Sequence, residues 1–264
     1  MSRARAARRR AAPRRAAPPR GATQVHSAKR GGSVTWLFDL DNTLHDASHA
    51  AFGLLDAAMN DYIERELQVA PERANHLRLE YWRRYGATLL GLERHHGIRA
   101  AHFLEHTHRL PGLEDRLRCH AHDRAALARL PGRKILLTNA PASYARRVLA
   151  ALDLDGAFEA LLSIEDMRVF GRLRPKPDVR MLAVVLARLR LRPRDCVLVE
   201  DTLAHQRAAH RLGLRTVWMQ RYLRSSSHGP EVGARLRRKP AYVCARIRSL
   251  FELRPLFTAS HPHV

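Results

Sequence analysis

The sequence has little cysteine, little lysine and no long apolar run. Its three cysteines, Cys119, Cys196 and Cys244, lack CxxC spacing, which argues against a disulfide framework and is typical of a reducing cytosol. The longest apolar run is the seven residues 181–187, whereas a membrane span needs roughly 18. We therefore expect a cytoplasmic protein without a membrane segment.

Lysine is scarce although the chain is strongly basic. Lysine and arginine together number 47 against 25 acidic residues, a formal charge of +22, yet only Lys29, Lys134, Lys176 and Lys239 are lysines. In a chain that otherwise uses arginine, a lysine is expected where a guanidinium cannot replace a compact ammonium. The 264 residues, 45% of them hydrophobic, can bury a sizeable core. This length predicts one large domain or a domain with an inserted module.

Residues 1–32 differ in composition from the rest. They contain ten basic residues and no acid, and the first acid of the chain is Asp39. Alanine, proline and glycine fill most of the remainder, so this stretch has nothing with which to build a core. We expect a disordered basic arm. It is either a dispensable tail or a segment that binds nucleic acid through its arginines.

Beyond residue 32, short apolar runs alternate with helical patterns, which predicts parallel βα units in a Rossmann-like α/β core. The predicted strands are 34–38, 134–137, 160–163, 196–199, 215–219 and 241–244. The predicted helices of the core are 143–152, 179–189, 203–212 and 247–253. In such a sheet the carboxyl ends of the strands form the ligand site, so the polar residues that follow the strands are the candidates.

The first two strong strands are separated by residues 46–129, too many for one crossover helix. Apolar residues step by three or four from Phe52 to Leu67, and Pro71 is typical of a helix start. Trp82 and Tyr85 continue a helical apolar face towards Gly97. The sequence therefore predicts an all-helical cap at 46–129, inserted after the first strand, with the core at 33–45 and 130–264.

The segment after the first strand contains two carboxylates two residues apart, Asp39 and Asp41. Such a pair repels unless a cation lies between the carboxylates or one is protonated. Phosphoryl transfer uses this arrangement, because one carboxylate can attack phosphorus while the other donates a proton to the leaving oxygen. An isolated Asp-x-Asp is weak evidence, since acids at strand ends also cap helices and form turns.

Three further motifs have the chemistry that the acid pair needs. Thr138 and Asn139 supply a hydroxyl and a chain turn for phosphate oxygens. Lys176 stands between two prolines and can present an ammonium to a phosphate, or is a solvated lysine in a surface turn. Glu200 and Asp201 supply the oxygen ligands that Mg²⁺ prefers.

Taken in order, these four motifs resemble the haloacid dehalogenase-like superfamily of phosphohydrolases, over residues 34 to about 224. The resemblance implies a nucleophile at Asp39 that forms an aspartyl-phosphate and a general acid and base at Asp41. It implies that Thr138 and Lys176 hold the phosphoryl oxygens. It also implies Mg²⁺ on the carboxylates of Asp39 and Asp201 and on the backbone carbonyl of Asp41, with Glu200 orienting that site.

Within that superfamily, the stretches 39–44, 81–92, 199–205 and 216–222 look like the pyrimidine 5′-nucleotidase branch. This resemblance implies a nucleoside 5′-monophosphate as the substrate. A phosphatase for sugar phosphates or other small metabolites is the alternative within the superfamily, and a nucleic-acid-associated protein is the alternative from another class. The sequence does not separate a monomer from a homodimer.

Two other patterns invite a metal assignment. His102, Glu105 and His106 match the HxxEH pattern of a zinc protease, and Cys119 lies beside His120 and His122. Because this region is rich in histidine, we interpret both as chance matches. Arg84, Tyr85 and Thr88 either meet a nucleobase or sugar or belong to the cap's own packing.

Overall fold

The computed structural model describes residues 34–224 and 238–254. The predicted arm at 1–32 lies outside these residues. None of the helices in the described ranges is both long enough and apolar enough to cross a membrane.

The described strands are β1 Thr35–Phe38, β2 Arg133–Leu137, β3 Ala160–Leu162, β4 Arg168–Val169, β5 Arg172–Leu173, β6 Cys196–Glu200, β7 Arg215–Met219 and β8 Ala245–Ile247. Six of them form one parallel sheet in the order β3-β2-β1-β6-β7-β8, which confirms the predicted Rossmann-like α/β core. A short antiparallel hairpin, β4–β5, lies outside this sheet and was not predicted.

Between β1 and β2 every regular element is helical. Three of the four predicted core helices are confirmed, by the helices Ala142–Ala151, Val179–Arg188 and Leu203–Arg211. We call residues 46–129 the insert. The helices are α1 Ala47–Ala50, α2 Phe52–Leu67, α3 Pro71–Tyr85, α4 Thr88–His96, α5 Ala100–Thr107, α6 Leu113–Arg116, α7 Ala121–Arg129, α8 Ala142–Ala151, α9 Val179–Arg188 and α10 Leu203–Arg211.

Successive residues of the central strands face opposite sides of the sheet, and both sides are buried. In β1, Trp36 and Phe38 belong to the core on the side of α7 and α8, whereas Leu37 belongs to the core on the side of α9 and α10. A parallel sheet that is covered on both faces is built from such continuous apolar strands. Only the strand ends are left for polar chemistry.

The helices of the insert divide between two hydrophobic cores. Residues of α2 to α5, among them Tyr62, Leu77 and Phe103, form a separate cluster, which Ile164 and Leu173 join from the core side. Leu113 of α6 and Leu127 of α7 instead pack in the same cluster as the sheet. That the cap spans residues 46–129 stays a prediction. Because α6 and α7 pack with the sheet, we propose that the cap itself is shorter and spans residues 52–107.

One expectation within the insert is wrong. The apolar face predicted from Trp82 towards Gly97 is not continuous, because α3 ends at Tyr85 and Gly86 adopts a left-handed conformation (φ 80°). The chain then restarts as α4, and Trp82 is left 53% exposed. Glycine tolerates this backbone region without steric cost and commonly ends a helix there.

Two expectations near the carboxyl terminus are also wrong. The strand predicted at 241–244 begins later, at Ala245, since Val243 donates its N–H to the Pro240 carbonyl and closes a turn. The helix predicted at 247–253 is replaced by the end of β8 and a 3-10 turn, Leu250–Glu252, capped by Ser249. Val243, Ile247, Leu250 and Leu253 are buried in this different local structure, whereas Phe251 is 68% exposed.

Candidate active site

The polar residues that follow the three central strands meet at one edge of the sheet. Asp39 follows β1, Thr138 follows β2, and Glu200 ends β6 directly before Asp201. Because β2, β1 and β6 are adjacent and parallel, their carboxyl ends lie side by side. The Asp39 N–H donates to Val199 of β6 at 3.0 Å, which fixes this register beyond the last ladder residue.

Lys176 joins two of these carboxylates. Its Nζ lies 2.6 Å from Asp39 Oδ1 and 2.8 Å from Glu200 Oε2, and its side chain is only 5% exposed. The predicted alternative of a solvated lysine in a surface turn is therefore wrong. The buried ammonium supports the expectation that a guanidinium cannot replace this lysine.

Asn139 fixes the loop that presents Lys176. Its Nδ2 donates to the Lys176 carbonyl at 3.0 Å, and its Oδ1 accepts from the Lys176 N–H at 2.9 Å. The amide side chain is thus occupied by the backbone of the lysine. Asn139 could therefore bind a phosphate oxygen only through its backbone, at the chain turn that the sequence predicts there.

Negative charge is concentrated at this edge. Oxygens of Asp39, Glu200 and Asp201 lie within 4.8 Å of one another. Burial and then the Glu200 charge raise the pKa of Asp39 to about 7, and burial followed by the charges of Glu200 and Asp39 raises the pKa of Asp201. Burial alone would raise the pKa of Glu200 too, but the Lys176 and His205 charges hold it below its usual range.

These raised pKa values mean that burial, together with the repulsion among the carboxylates, disfavours the charged forms of Asp39 and Asp201 more than Lys176 favours them. A hard divalent cation that takes oxygen ligands would relieve that repulsion. Two neighbours hold Asp201 in place. Thr202 donates its hydroxyl to Asp201 Oδ1 at 3.2 Å, and Trp218 donates its indole N–H to the Asp201 carbonyl at 2.8 Å. The residues present therefore fit a cation such as Mg²⁺.

The Asp41 carboxylate is not one of the three that converge. Its Oδ1 accepts from Tyr144 Oη at 2.8 Å and lies 3.0 Å from His45 Nε2. The sequence singled out neither partner. His45 follows the acid motif directly, and Tyr144 lies on the buried face of α8, so each looks like an ordinary core residue in the sequence alone.

Thr138 is buried, and its Oγ1 accepts from the Ala140 N–H at 3.0 Å. That bond orients the hydroxyl at the turn after β2. Of the predicted site residues, Asp39, Lys176 and Asp201 thus share one cluster, Thr138 and Asn139 form the adjoining turn, and Asp41 has partners of its own.

The two metal-like patterns in the insert do not form a site. In the described part of the chain, Asp39, Glu200 and Asp201 are the only group of three or more ligand residues close enough to share an ion. Glu105 pairs with Arg109 at 2.8 Å and His102 Nδ1 bonds to the Tyr62 hydroxyl at 2.7 Å. These contacts of Glu105 and His102 support the interpretation of both patterns as chance matches.

The insert residues suggested for substrate contact have partners within the insert. Thr88 donates its hydroxyl to the Arg78 carbonyl at 3.0 Å, and the Tyr85 hydroxyl lies 2.6 Å from His95 Nε2. Arg84 lies over the Tyr85 ring, 5.5 Å from its centroid. The contact of Thr88 favours a role in the packing of the cap over contact with a substrate. Arg84 is exposed to solvent.

A family model for a hydrolase described as haloacid dehalogenase-like matches residues 35–213, which is more than half of the chain. The chain belongs to the haloacid dehalogenase-like hydrolases. The matched range includes every predicted site residue. This membership makes the protein a hydrolase and agrees with the resemblance of its four motifs.

Solved structures of haloacid dehalogenase-like proteins have the same fold. The chain is similar to a phosphatase from Thermococcus onnurineus (19% identity, TM-score 0.57), covering 85% of this chain and 98% of that one. It is similar to CbbY from Rhodobacter sphaeroides in complex with phosphate (20%, 0.57, 84% and 96%). It is also similar to the L-2-haloacid dehalogenase from Xanthobacter autotrophicus with chloropropionic acid covalently bound (19%, 0.51, 87% and 100%). At these identities the likeness concerns the fold alone.

Proposed function

We propose that this haloacid dehalogenase-like hydrolase is a Mg²⁺-dependent phosphomonoesterase that acts through an aspartyl-phosphate on Asp39. The observation that supports this most strongly is the separation of two carboxylates by environment. Asp39 lies with the cation-binding acids and Lys176, whereas Asp41 is held by Tyr144 and His45. Nucleophilic attack and proton transfer can then be assigned to different groups.

Asp39 and Asp201 would hold Mg²⁺ through their carboxylates and Asp41 through its backbone carbonyl, with Glu200 orienting them. When bound, the ion would supply charge screening between the anionic substrate and the nucleophile. The raised pKa values of Asp39 and Asp201 support this assignment, because a cation favours the charged form of both.

The chemistry takes two displacements at phosphorus. A carboxylate oxygen of Asp39 attacks phosphorus as the bond to the leaving oxygen breaks, and Asp41 gives its proton to that oxygen. Asp41, now a carboxylate, takes a proton from water as the water attacks the phosphoryl group, and the Asp39–phosphorus bond breaks. Phosphate leaves, Asp39 is free again and Asp41 is protonated again.

During both displacements, Lys176 would neutralise charge on the phosphoryl oxygens, and Thr138 would help to orient them. Lys176 already has its ammonium next to the nucleophile oxygen, at 2.6 Å. Thr138 uses its oxygen as an acceptor for Ala140, so the hydroxyl proton is what it would offer to a phosphoryl oxygen. Charge-assisted bonds of this kind are the strong ones in phosphate recognition.

Dehalogenation is the competing chemistry in this family, and one of the similar structures is a dehalogenase. A halide leaves without a proton, so dehalogenation has no use for a second carboxylate as an acid. Asp41, held by two partners beside the nucleophile, therefore favours phosphate ester hydrolysis.

The substrate class is proposed from the resemblance of the motifs to pyrimidine 5′-nucleotidases. We propose a nucleoside 5′-monophosphate, with sugar phosphates as the alternative. The cytoplasmic location and the choice between monomer and homodimer stay predictions, as does binding of nucleic acid by residues 1–32.

Phosphate release in the presence of Mg²⁺, from UMP, CMP and a set of sugar phosphates, tests this function. The wild type should release phosphate, and Asp39→Asn should lower kcat by at least about a thousandfold. Asp153→Asn, which changes an acid whose side chain is 90% exposed, is the matched control and should retain full activity.

Release confined to pyrimidine monophosphates supports the nucleotidase proposal. Release from sugar phosphates alone keeps the chemistry and discards that substrate. Activity that survives Asp39→Asn in a folded protein contradicts the proposed mechanism.

A further inference from the structure

Two side chains share one oxygen of Asp41. The Tyr144 hydroxyl donates to Asp41 Oδ1 at 2.8 Å, and His45 Nε2 lies 3.0 Å from the same atom. The Asp41 side chain is 23% exposed, whereas that of His45 is fully buried. Two partners thus hold the same oxygen of a carboxylate that is partly exposed to solvent.

Tyr144 is fixed independently of this bond. It is 2% exposed and belongs to the core cluster of α7 and α8. Its ring also meets the buried His108 edge to face, with centroids 5.8 Å apart and planes at 77°. The buried ring therefore fixes the hydroxyl as a donor to Asp41 Oδ1.

The tautomer of His45 follows from its two ring nitrogens. Nδ1 is buried and has no hydrogen-bond partner within residues 34–224 and 238–254. A proton on that nitrogen would be an unsatisfied buried donor, and it would turn the lone pair of Nε2 towards the Asp41 carboxylate. The ring proton therefore belongs on Nε2, which points at Asp41.

We propose that Tyr144 and His45 are positioning residues that fix the Asp41 carboxyl group for proton transfer through Oδ2. This inference rests on the proposed phosphomonoesterase function. Rotation of the carboxyl group about its Cβ–Cγ bond would break both bonds to Oδ1, so Oδ2 is the oxygen that meets the leaving group. When the Oδ2 proton moves to the leaving oxygen, the two donors stabilise the carboxylate that forms.

A positioning role predicts a dependence on the leaving group that a purely structural role does not. The p-nitrophenolate ion leaves readily without a proton, whereas an alkoxide needs one. Loss of either donor should therefore impair an alkyl phosphate more than p-nitrophenyl phosphate. The ratio of the two kcat/KM values isolates this effect from any general loss of active protein.

The variants are Tyr144→Phe, which keeps the ring against His108, and His45→Met, which removes the donor at similar size. In each, kcat/KM for the alkyl ester should fall about 10- to 100-fold and that for the aryl ester less than about threefold. His45→Gln carries an amide nitrogen where Nε2 was and should restore most of the ratio. Tyr62→Phe is the matched control, because this buried tyrosine bonds to His102 in the insert, and it should leave the ratio unchanged.

Thermal unfolding of each variant verifies that it is folded, and Tyr144→Phe decides the question if both His45 variants are not. Equal losses on the two esters in Tyr144→Phe, in a protein with an active wild type, overturn the positioning roles and leave the phosphatase intact. A wild type that hydrolyses neither ester, nor any phosphomonoester of the wider set, overturns the proposed function and with it this inference.

Discussion

The carboxyl edge of the sheet and the insert both contain many polar side chains, and they use them differently. At the edge, Asp39, Glu200 and Asp201 lie close together, and burial and their mutual repulsion raise the pKa of Asp39 and of Asp201. In the insert, tyrosine hydroxyls pair with histidines, as Tyr62 does with His102 and Tyr81 with His96.

This difference separates function from packing. Buried carboxylates with raised pKa values destabilise the fold unless a ligand relieves them, so their convergence at the edge has no structural purpose. The paired groups of the insert satisfy one another and need no ligand. This contrast supports our proposal that the edge is the active site, while the internal pairs of the insert serve its packing.

The strongest way to break this contrast is Lys176→Met. The substitution leaves Asp39 and Glu200 buried without their cation, and removing one partner of a buried pair costs about 3–5 kcal/mol of unfolding free energy. Activity should fall as well, because the phosphoryl oxygens lose their ammonium. Denaturant unfolding in EDTA, followed by phosphate release with Mg²⁺, measures both.

Lys134→Met is the matched control, since this half-buried lysine donates to the Leu130 carbonyl at 2.8 Å and touches none of the acids. It should leave activity intact. A Lys176→Met protein as stable and as active as the wild type would contradict both the stabilising and the catalytic role of this ammonium.

A second test uses His108, where the insert returns to the core. Burial lowers the pKa of His108 from 6.5 to about 4. The unfolded chain binds a proton near pH 6.5 while the folded protein does not. The stability from this group is therefore complete above about pH 6.5 and decreases as pH falls towards 4, by about 3 kcal/mol in all.

His108→Asn keeps a polar group near the Leu104 carbonyl but does not titrate. The difference in unfolding free energy between wild type and variant should shift by that amount between pH 6.5 and pH 4. His76→Asn, at a histidine side chain that is 64% exposed, should follow the wild type. An unchanged difference for His108→Asn would mean that folding does not lower the pKa of this histidine.

The smallest expected effect sharpens the role of the insert as packing. A Cβ added at Gly91 of α4 would lie 2.1 Å from Cγ of Tyr81 on α3. Gly91→Ala should therefore lower the unfolding free energy by about 1–3 kcal/mol, with little change in kcat. Gly53→Ala, where a Cβ meets nothing within 4 Å, should be neutral or slightly stabilising. A large loss of kcat in Gly91→Ala at unchanged stability would mean that the contact between α3 and α4 contributes to catalysis and not only to packing.

The fold and the main cluster could be predicted because they depend on local patterns. Apolar runs gave β1, β2 and β6, and adjacent parallel strands bring the residues after them to one edge. Lys176 was predicted as a site residue because lysine is rare in this arginine-rich chain. These signals are contained in a few consecutive residues, and a few ordered motifs sufficed to indicate the family.

The rest depends on contacts that have no local signal. Tyr144 has the helical spacing of any core residue, and only the tertiary structure brings it to Asp41. Trp82 looks apolar in sequence, yet it lies on an exposed face of α3. The turn at Pro240 delays β8. Hydrophobic periodicity indicates which residues are apolar but not which local structure they adopt.

The central claim is that Asp39 is the nucleophile, and trapping its covalent intermediate tests it most directly. Wild type and Asp39→Asn are mixed with a turned-over phosphomonoester and Mg²⁺, quenched in acid within one turnover, and digested for mass spectrometry. We expect one phosphoryl group on the wild-type peptide that contains Asp39, removable by hydroxylamine as an acyl phosphate is, and none in the variant. Turnover by the wild type with no phosphoryl group on that peptide, or with the group on another residue, would contradict the account.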